Sequence, residues 1–111
     1  MALPAHVSDA MIVVHATFPV KADERDRVLE HIKELEQHTR EEEGVIEYDA
    51  ATDVENPNLI RFTERYEDEA ALGAHTQTDH FTEFAAMLPE VLDGEPEVMQ
   101  YTVSEAKELE M

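Results

Sequence analysis

Residues Met11 to Phe18 read Met-Ile-Val-Val-His-Ala-Thr-Phe, a β-branched run whose two alternating faces are both largely apolar. A strand of this kind must be covered on both sides. Met11 and Val13 share one face; Ile12, Val14 and Phe18 share the other. Helices packed on one side of a sheet leave the far side bare, and that far side is too apolar to meet water. It is expected to bury against a second copy of the chain, making a homodimer.

The remaining elements follow from periodicity and punctuation. After Pro19 to Ala22 turn the chain, Asp23 with Asp26 resembles an N-terminal cap. Val28, Ile32 and Leu35 then recur at helical spacing in a helix expected to run to about Glu43, with Gly44 as its left-handed stop. Residues 44–53 alternate Ile46, Tyr48 and Ala50 against Val45, Glu47 and Asp49. Residues 58–66 alternate Ile60, Phe62, Glu64 and Tyr66 against Leu59, Arg61, Thr63 and Arg65. The turn-rich stretch between them predicts an antiparallel hairpin with a loose loop. Asp68 caps a short helix through Ala70, Ala71 and Leu72. Thr76 or Thr78 caps a second, carrying Phe81, Phe84, Ala85 and Leu88 and closing near Pro89. Val98 to Val103 predicts a fourth strand, and residues 105–111 a polar tail. The order β-α-β-β-α-β is the split-βαβ, ferredoxin-like plan, an α+β fold.

At 111 residues with 42% hydrophobic content, the chain has the size and apolar fraction of one globular domain, with its core at about residues 10–104. Against 8 Lys and Arg stand 27 Asp and Glu, a net charge of −19. Phosphate recognition needs clustered cations, and the eight here are dispersed, so neither nucleic acid nor an anionic membrane surface is an expected partner. Self-repulsion of this size is screened when the Debye length falls to about 3 Å near 1 M salt, so a salt-rich, halophilic cytoplasm is expected. Only three of the basic residues are Lys (Lys21, Lys33 and Lys107). Met1 to Ala10 lacks a positive segment followed by a hydrophobic one, and no run is long and apolar enough to span a bilayer. A cytoplasmic location is expected. Without Cys there is no disulfide, thiolate metal site or Cys nucleophile, and chemistry falls to His, carboxylates, Tyr or a bound cofactor.

Glu64 breaks its local pattern, sharing a strand face with Ile60, Phe62 and Tyr66. A buried carboxylate needs a donor or its pKa rises; alternatively Glu64 sits at the strand end and reaches solvent or an Arg. His75 and His80 flank the break between the two helical pieces; His75 is the candidate general base, with Glu64 fixing its tautomer, and His80 is a candidate substrate-binding residue. The competing reading makes His75 a helix-end residue bonded to a carbonyl and His80 a surface residue of the next helix's first turn. Tyr48, Phe62, Tyr66 and Phe81 are candidate walls of an aromatic-ligand pocket, or plain core. His15, in the first strand, is a candidate binding residue, or an interface histidine. No metal site is expected: His75 and His80 are five apart, off same-face spacing, and His31 and His38 lie two turns apart, about 10.5 Å. Nucleotide, serine-hydrolase and zincin motifs are missing from the sequence.

Three segments carry a resemblance: Glu43-Gly44-Val-Ile-Glu-Tyr48, Phe62-Thr-Glu64-Arg-Tyr66-Glu-Asp-Glu-Ala70, and Ala74-His75-Thr-Gln-Thr-Asp-His80-Phe81. In this order and spacing they resemble the successive motifs of the antibiotic biosynthesis monooxygenase domain family, including its quinol monooxygenase-like members. The resemblance implies a dimeric α+β barrel with a pocket between sheet and helices in each subunit. It also implies oxidation of hydroxylated aromatics or quinols by dioxygen, without metal or flavin. Other members degrade haem, a branch whose pocket uses a Trp that this chain lacks. Close relatives isomerise a small phosphorylated dione, which calls for basic residues near the pocket, and only Arg61 and Arg65 are near in sequence. A non-catalytic, stress-response dimer that binds a small hydrophobic molecule is the alternative from outside enzymology. On the leading reading the substrate is a small aromatic or quinol, His75 deprotonates it, and no cofactor takes part.

Overall fold

The computed structural model describes residues 10–111; the N-terminal stretch read above for a targeting segment lies outside them, apart from Ala10. Strand β1 (Met11–Pro19) leads through a single 3₁₀ turn, Ala22–Glu24, into helix α1 (Arg25–Thr39). Strands β2 (Val45–Thr52) and β3 (Leu59–Tyr66) follow, then helices α2 (Glu69–His75) and α3 (Asp79–Val91), and strand β4 (Glu97–Val103). The sheet order is β2-β3-β1-β4 with every neighbouring pair antiparallel, the α+β ferredoxin-like plan expected from the element order. Among the described residues no helix is long and apolar enough to cross a membrane.

The helices cover one face of the sheet. Val28, Ile32 and Leu35 of α1 and Phe84, Met87 and Val91 of α3 pack onto Ala16, Tyr48, Ile60 and Phe62. Each fully buried Val, Ile, Leu, Met or Phe among them contributes about 1.5–3 kcal/mol. A second cluster joins Ile12, Val14 and Tyr66 to Ala71 of α2, placing that short helix over the β1–β3 seam beside the candidate site. The alternation read in β3 holds: Ile60, Phe62, Glu64 and Tyr66 are buried on the helix side.

Four local expectations are corrected. α1 ends at Thr39 rather than Glu43, and residues 40–44 form a turn that closes on Gly44, whose φ is +87°. Asp23 caps nothing; neither the 3₁₀ turn nor α1 has a side-chain N-cap bond. The pairing of β2 with β3 shifts register between Val45 and Glu47, and this bulge turns Val45 toward the core and leaves Ile46 exposed, the reverse of simple alternation. α3 runs through Pro89 to Val91, so its buried stripe is Phe84, Met87 and Val91 rather than one ending at Leu88.

The far face of the sheet divides into two halves. Over β2 and β3 it is charged, with Arg61 paired to Asp53 at 3.0 Å and Arg65 to Glu47 at 2.8 Å. Over β1 and β4 it carries Met11 opposite Val103, Val13 opposite Tyr101 and His15 opposite Met99. Strand β4 is exposed on both faces: Val98, on the helix side, is 58% exposed, Met99 47% and Tyr101 44%.

Candidate active site

The site is built where three chain reversals meet. Asp68 accepts a hydrogen bond from the Ala71 N–H and starts α2; Thr78 accepts one from the Phe81 N–H and starts α3. The Thr78 hydroxyl also donates to the His75 carbonyl at 2.7 Å, fixing the break between the two helices. That break redirects the chain, so the five-residue separation of His75 and His80 no longer follows the spacing of one helix. Both rings converge on Glu42, in the turn after α1. The expectation that these histidines could not face one centre is therefore corrected.

His75 is fully buried, and its Nδ1 lies 3.1 Å from Glu42 Oε2 and 3.3 Å from Oε1. A carboxylate accepts only, so Nδ1 carries the proton and donates, leaving Nε2 with a lone pair. Nε2 is buried and has no hydrogen-bond partner. His80 Nε2 meets the same Glu42 oxygen, and the His80 ring stacks on His38 with centroids 5.5 Å apart. Burial pushes the His75 pKa below its ordinary 6.5, and Glu42 pulls it back only in part. The ring is therefore neutral and able to accept a proton at pH 7.

Aromatic rings enclose His75: Phe81 with centroids 5.0 Å away, Tyr48 at 5.2 Å and Tyr66 at 5.7 Å. Phe62 stands one ring further out, against Tyr48 and Phe84. Glu64 is buried as expected, but its partner is Tyr66, whose hydroxyl donates to Oε1 at 2.6 Å. It makes no hydrogen bond to His75; Glu42 holds that place. Burial pushes the Glu64 carboxyl up from 4.5 to about 7, with the Tyr66 hydroxyl opposing the rise. Burial first, and the nearby Glu64 charge second, lift both Tyr48 and Tyr66 above the ordinary phenol value, so both stay neutral.

Two clefts flank this group. One of about 320 Å³ lies between α1 and α3, with His31, His38, His80 and Glu83 on its walls. The other, about 480 Å³, is bounded by Glu42, Gly44, Asp68, Ala74 and Thr78. His75 lines neither, lying between them behind Glu42 and His80. His15 is not part of this assembly: it is exposed on the opposite face of the sheet, edge-on to Tyr101 at 5.5 Å. Arg61 and Arg65 sit on that far face too, each already paired, so neither serves a phosphate beside His75.

Glu42 is the residue sequence reasoning missed. It stands in the run Glu41-Glu42-Glu43, which reads as a solvated helix end, and only the turn closing at Gly44 carries one of the three inward. A Cβ on Gly44 would lie 2.6 Å from the Ala71 Cβ, so glycine here serves both the positive φ and the close approach of the Glu42 turn to α2.

A profile of the family described as "Antibiotic biosynthesis monooxygenase" matches residues 11–87. The Bacillus subtilis (strain 168) protein named "Putative monooxygenase YcnE" is 37% identical over 95 residues, covering 86% of this chain and 100% of its own. A Synechocystis protein named "Uncharacterized protein sll1783" is 30% identical over 102 residues, 92% of this chain and 69% of its own. Among solved structures, a conserved protein from Methanosarcina mazei Go1 superposes with a TM-score of 0.80 at 34% identity, covering 88% of this chain and 97% of that one. A structure described as an antibiotic biosynthesis monooxygenase does so at 0.79 and 29%, covering 85% and 99%.

Proposed function

The chain belongs to the antibiotic biosynthesis monooxygenase family, and from that premise we propose that it oxidises a hydroxylated aromatic or quinol with dioxygen, using His75 as general base and neither metal nor flavin. The observation that carries this reading is the unpartnered, buried Nε2 of His75 on a ring whose other nitrogen is held by Glu42. A buried base with its tautomer fixed by a carboxylate and its lone pair free is the arrangement that proton abstraction requires.

The substrate stacks among Tyr48, Tyr66 and Phe81, of which Phe81 is only half-buried and gives the approach from solvent. His75 Nε2 takes the phenolic or enolic proton, and Glu42 stabilises the imidazolium that results. The substrate anion gives one electron to dioxygen and the radical pair recombines to a peroxide at carbon. Return of the proton from His75 gives the hydroperoxide. Loss of the proton on the carbon that bears the hydroperoxide then breaks the O–O bond; one oxygen stays as the new carbonyl and the other leaves as hydroxide, which takes that proton to become water. The dry aromatic enclosure keeps water from the anion. Glu64 acts at one remove, as a positioning residue that fixes the Tyr66 ring through its hydroxyl.

The working unit is a homodimer. Support comes from β4, whose apolar residues are exposed on both faces, and from the Met11, Val13, Met99 and Tyr101 patch next to it. His15 then belongs to the interface rather than to substrate. A net charge of −19 supports function in a salt-rich cytoplasm.

Turnover of reduced quinols and anthrones under isotopically labelled dioxygen tests the reaction. One labelled atom in the quinone product is expected. A melting temperature raised by these compounds without any oxygen consumption would instead identify a binding protein.

A further inference from the structure

Glu42, His75 and His80 present one carboxylate and two imidazoles from three separate elements: the turn after α1, the end of α2 and the start of α3. One ligand atom from each lies within 4.8 Å of the other two. We propose that these three residues form a binding site for a divalent first-row transition ion of the zinc type, and that its occupation shuts off the base. The binding claim stands without the oxygenase reading; the inhibition claim rests on it.

The geometry suits such an ion. Bonds of about 2.0–2.2 Å at tetrahedral angles space neighbouring ligand atoms about 3.3–3.6 Å apart. The His75 Nδ1 to Glu42 oxygen separations are 3.1 and 3.3 Å. Two imidazoles and one carboxylate, with no thiolate in the chain, select ions such as Zn²⁺, Ni²⁺ or Cu²⁺ over Mg²⁺ or Ca²⁺, which require oxygen cages. The set is held in place before any ion arrives, because Thr78 ties the His75 carbonyl to the start of α3. Glu42 borders the 480 Å³ cleft and His80 the 320 Å³ cleft, so the ion reaches the site from solvent and keeps water at its open position.

Inhibition follows from the tautomer. An ion bonded to His75 Nδ1 displaces the proton from that atom, and a neutral imidazole then carries its proton on Nε2. The lone pair that would accept the substrate proton is gone. The same residues are therefore a base when the ion is absent and an inert metal site when it is present.

The test is titration of the chelator-treated, full-length protein with Zn²⁺ against a chromophoric competitor, in about 1 M salt to screen the acidic surface. One ion per chain is expected, with affinity falling at least about tenfold in His80→Ala and in Glu42→Gln. His80 is partly exposed, so His80→Ala tests the site without emptying the core. Co²⁺ in place of zinc is expected to show the visible absorption of a low-coordinate nitrogen and oxygen site in wild type, lost in both variants. No stoichiometric binding, or binding unaltered by both substitutions, would overturn the site. Zinc bound as expected while oxygen uptake is unaffected or rises would overturn the inhibition. Zinc binding as expected to a protein that consumes no oxygen even in its zinc-free form would leave the site standing and remove the oxygenase reading.

Discussion

Replacing Glu64 with Gln should change how stability depends on pH, and by an amount that follows from where the carboxyl sits. Glu64 is 8% exposed and its one hydrogen bond comes from the Tyr66 hydroxyl. Burial raises its pKa from 4.5 to about 7. The folded chain therefore holds this proton more tightly than the unfolded chain. Its contribution is full below about 4.5 and is lost as pH rises through about 7. At about 1.4 kcal/mol per pKa unit the loss is about 3 kcal/mol. A Gln amide oxygen still accepts from Tyr66 and cannot ionise, but its NH₂ group gains no partner, costing about 1 kcal/mol at every pH. Glu64→Gln should thus be about 1 kcal/mol less stable than wild type near pH 4.5 and about 2 kcal/mol more stable above pH 8, with the curves crossing between. Urea unfolding of both proteins across that range at constant salt measures the difference directly, since every other titrating group is common to the two. Parallel curves would refute the reasoning, because they would mean that Glu64 is either solvated or ionised at no cost.

The other expectations are more local. Gly44→Ala places a Cβ 2.6 Å from that of Ala71 at a φ of +87°, and should cost about 2–4 kcal/mol in thermal unfolding, partly restored by a second substitution, Ala71→Gly. Asp68→Ala removes the cap of α2 and should cost about 1 kcal/mol, with kcat falling more than the melting temperature because His75 ends that helix. Met99→Glu with Tyr101→Glu should convert a dimer in sedimentation to a monomer that keeps its helical circular dichroism; an unaltered sedimentation coefficient would contradict the interface. The melting temperature should climb steeply between low salt and about 1 M, and a flat response would show that the charge of −19 is already neutralised by pairing.

What the sequence made legible was whatever depends on strict period. In β3 the residues Ile60, Phe62, Glu64 and Tyr66 alternate without interruption, so their common face, and the anomaly of a carboxylate among them, could be read directly. In β2 the same logic failed at Val45 and Ile46, because one bulged residue reverses the faces on one side of it and bulges leave no mark in composition. The site depended on breaks rather than on period. His75 is recognisable as the candidate base, but alternation points to a carboxylate partner on the neighbouring strand, whereas the actual partner, Glu42, lies in a turn 33 residues earlier. Three consecutive Glu residues look alike in sequence; the backbone at Gly44 distinguishes Glu42 from its neighbours. As a metal ligand, His80 fails a spacing rule that holds only within one helix; α2 ends at His75 and Thr78 starts α3, so the two histidines stand on different helices.

The central claim is that His75, oriented by Glu42, takes the substrate proton through Nε2. His75→Asn isolates that atom, since the shorter amide can still donate to Glu42 from the position of Nδ1 but offers no base at Nε2. Dioxygen uptake with reduced quinols and anthrones, chelator present and salt near 1 M, should be lower in His75→Asn by about 100- to 10,000-fold while the variant remains folded. Uptake by folded His75→Asn at the wild-type rate would contradict the account.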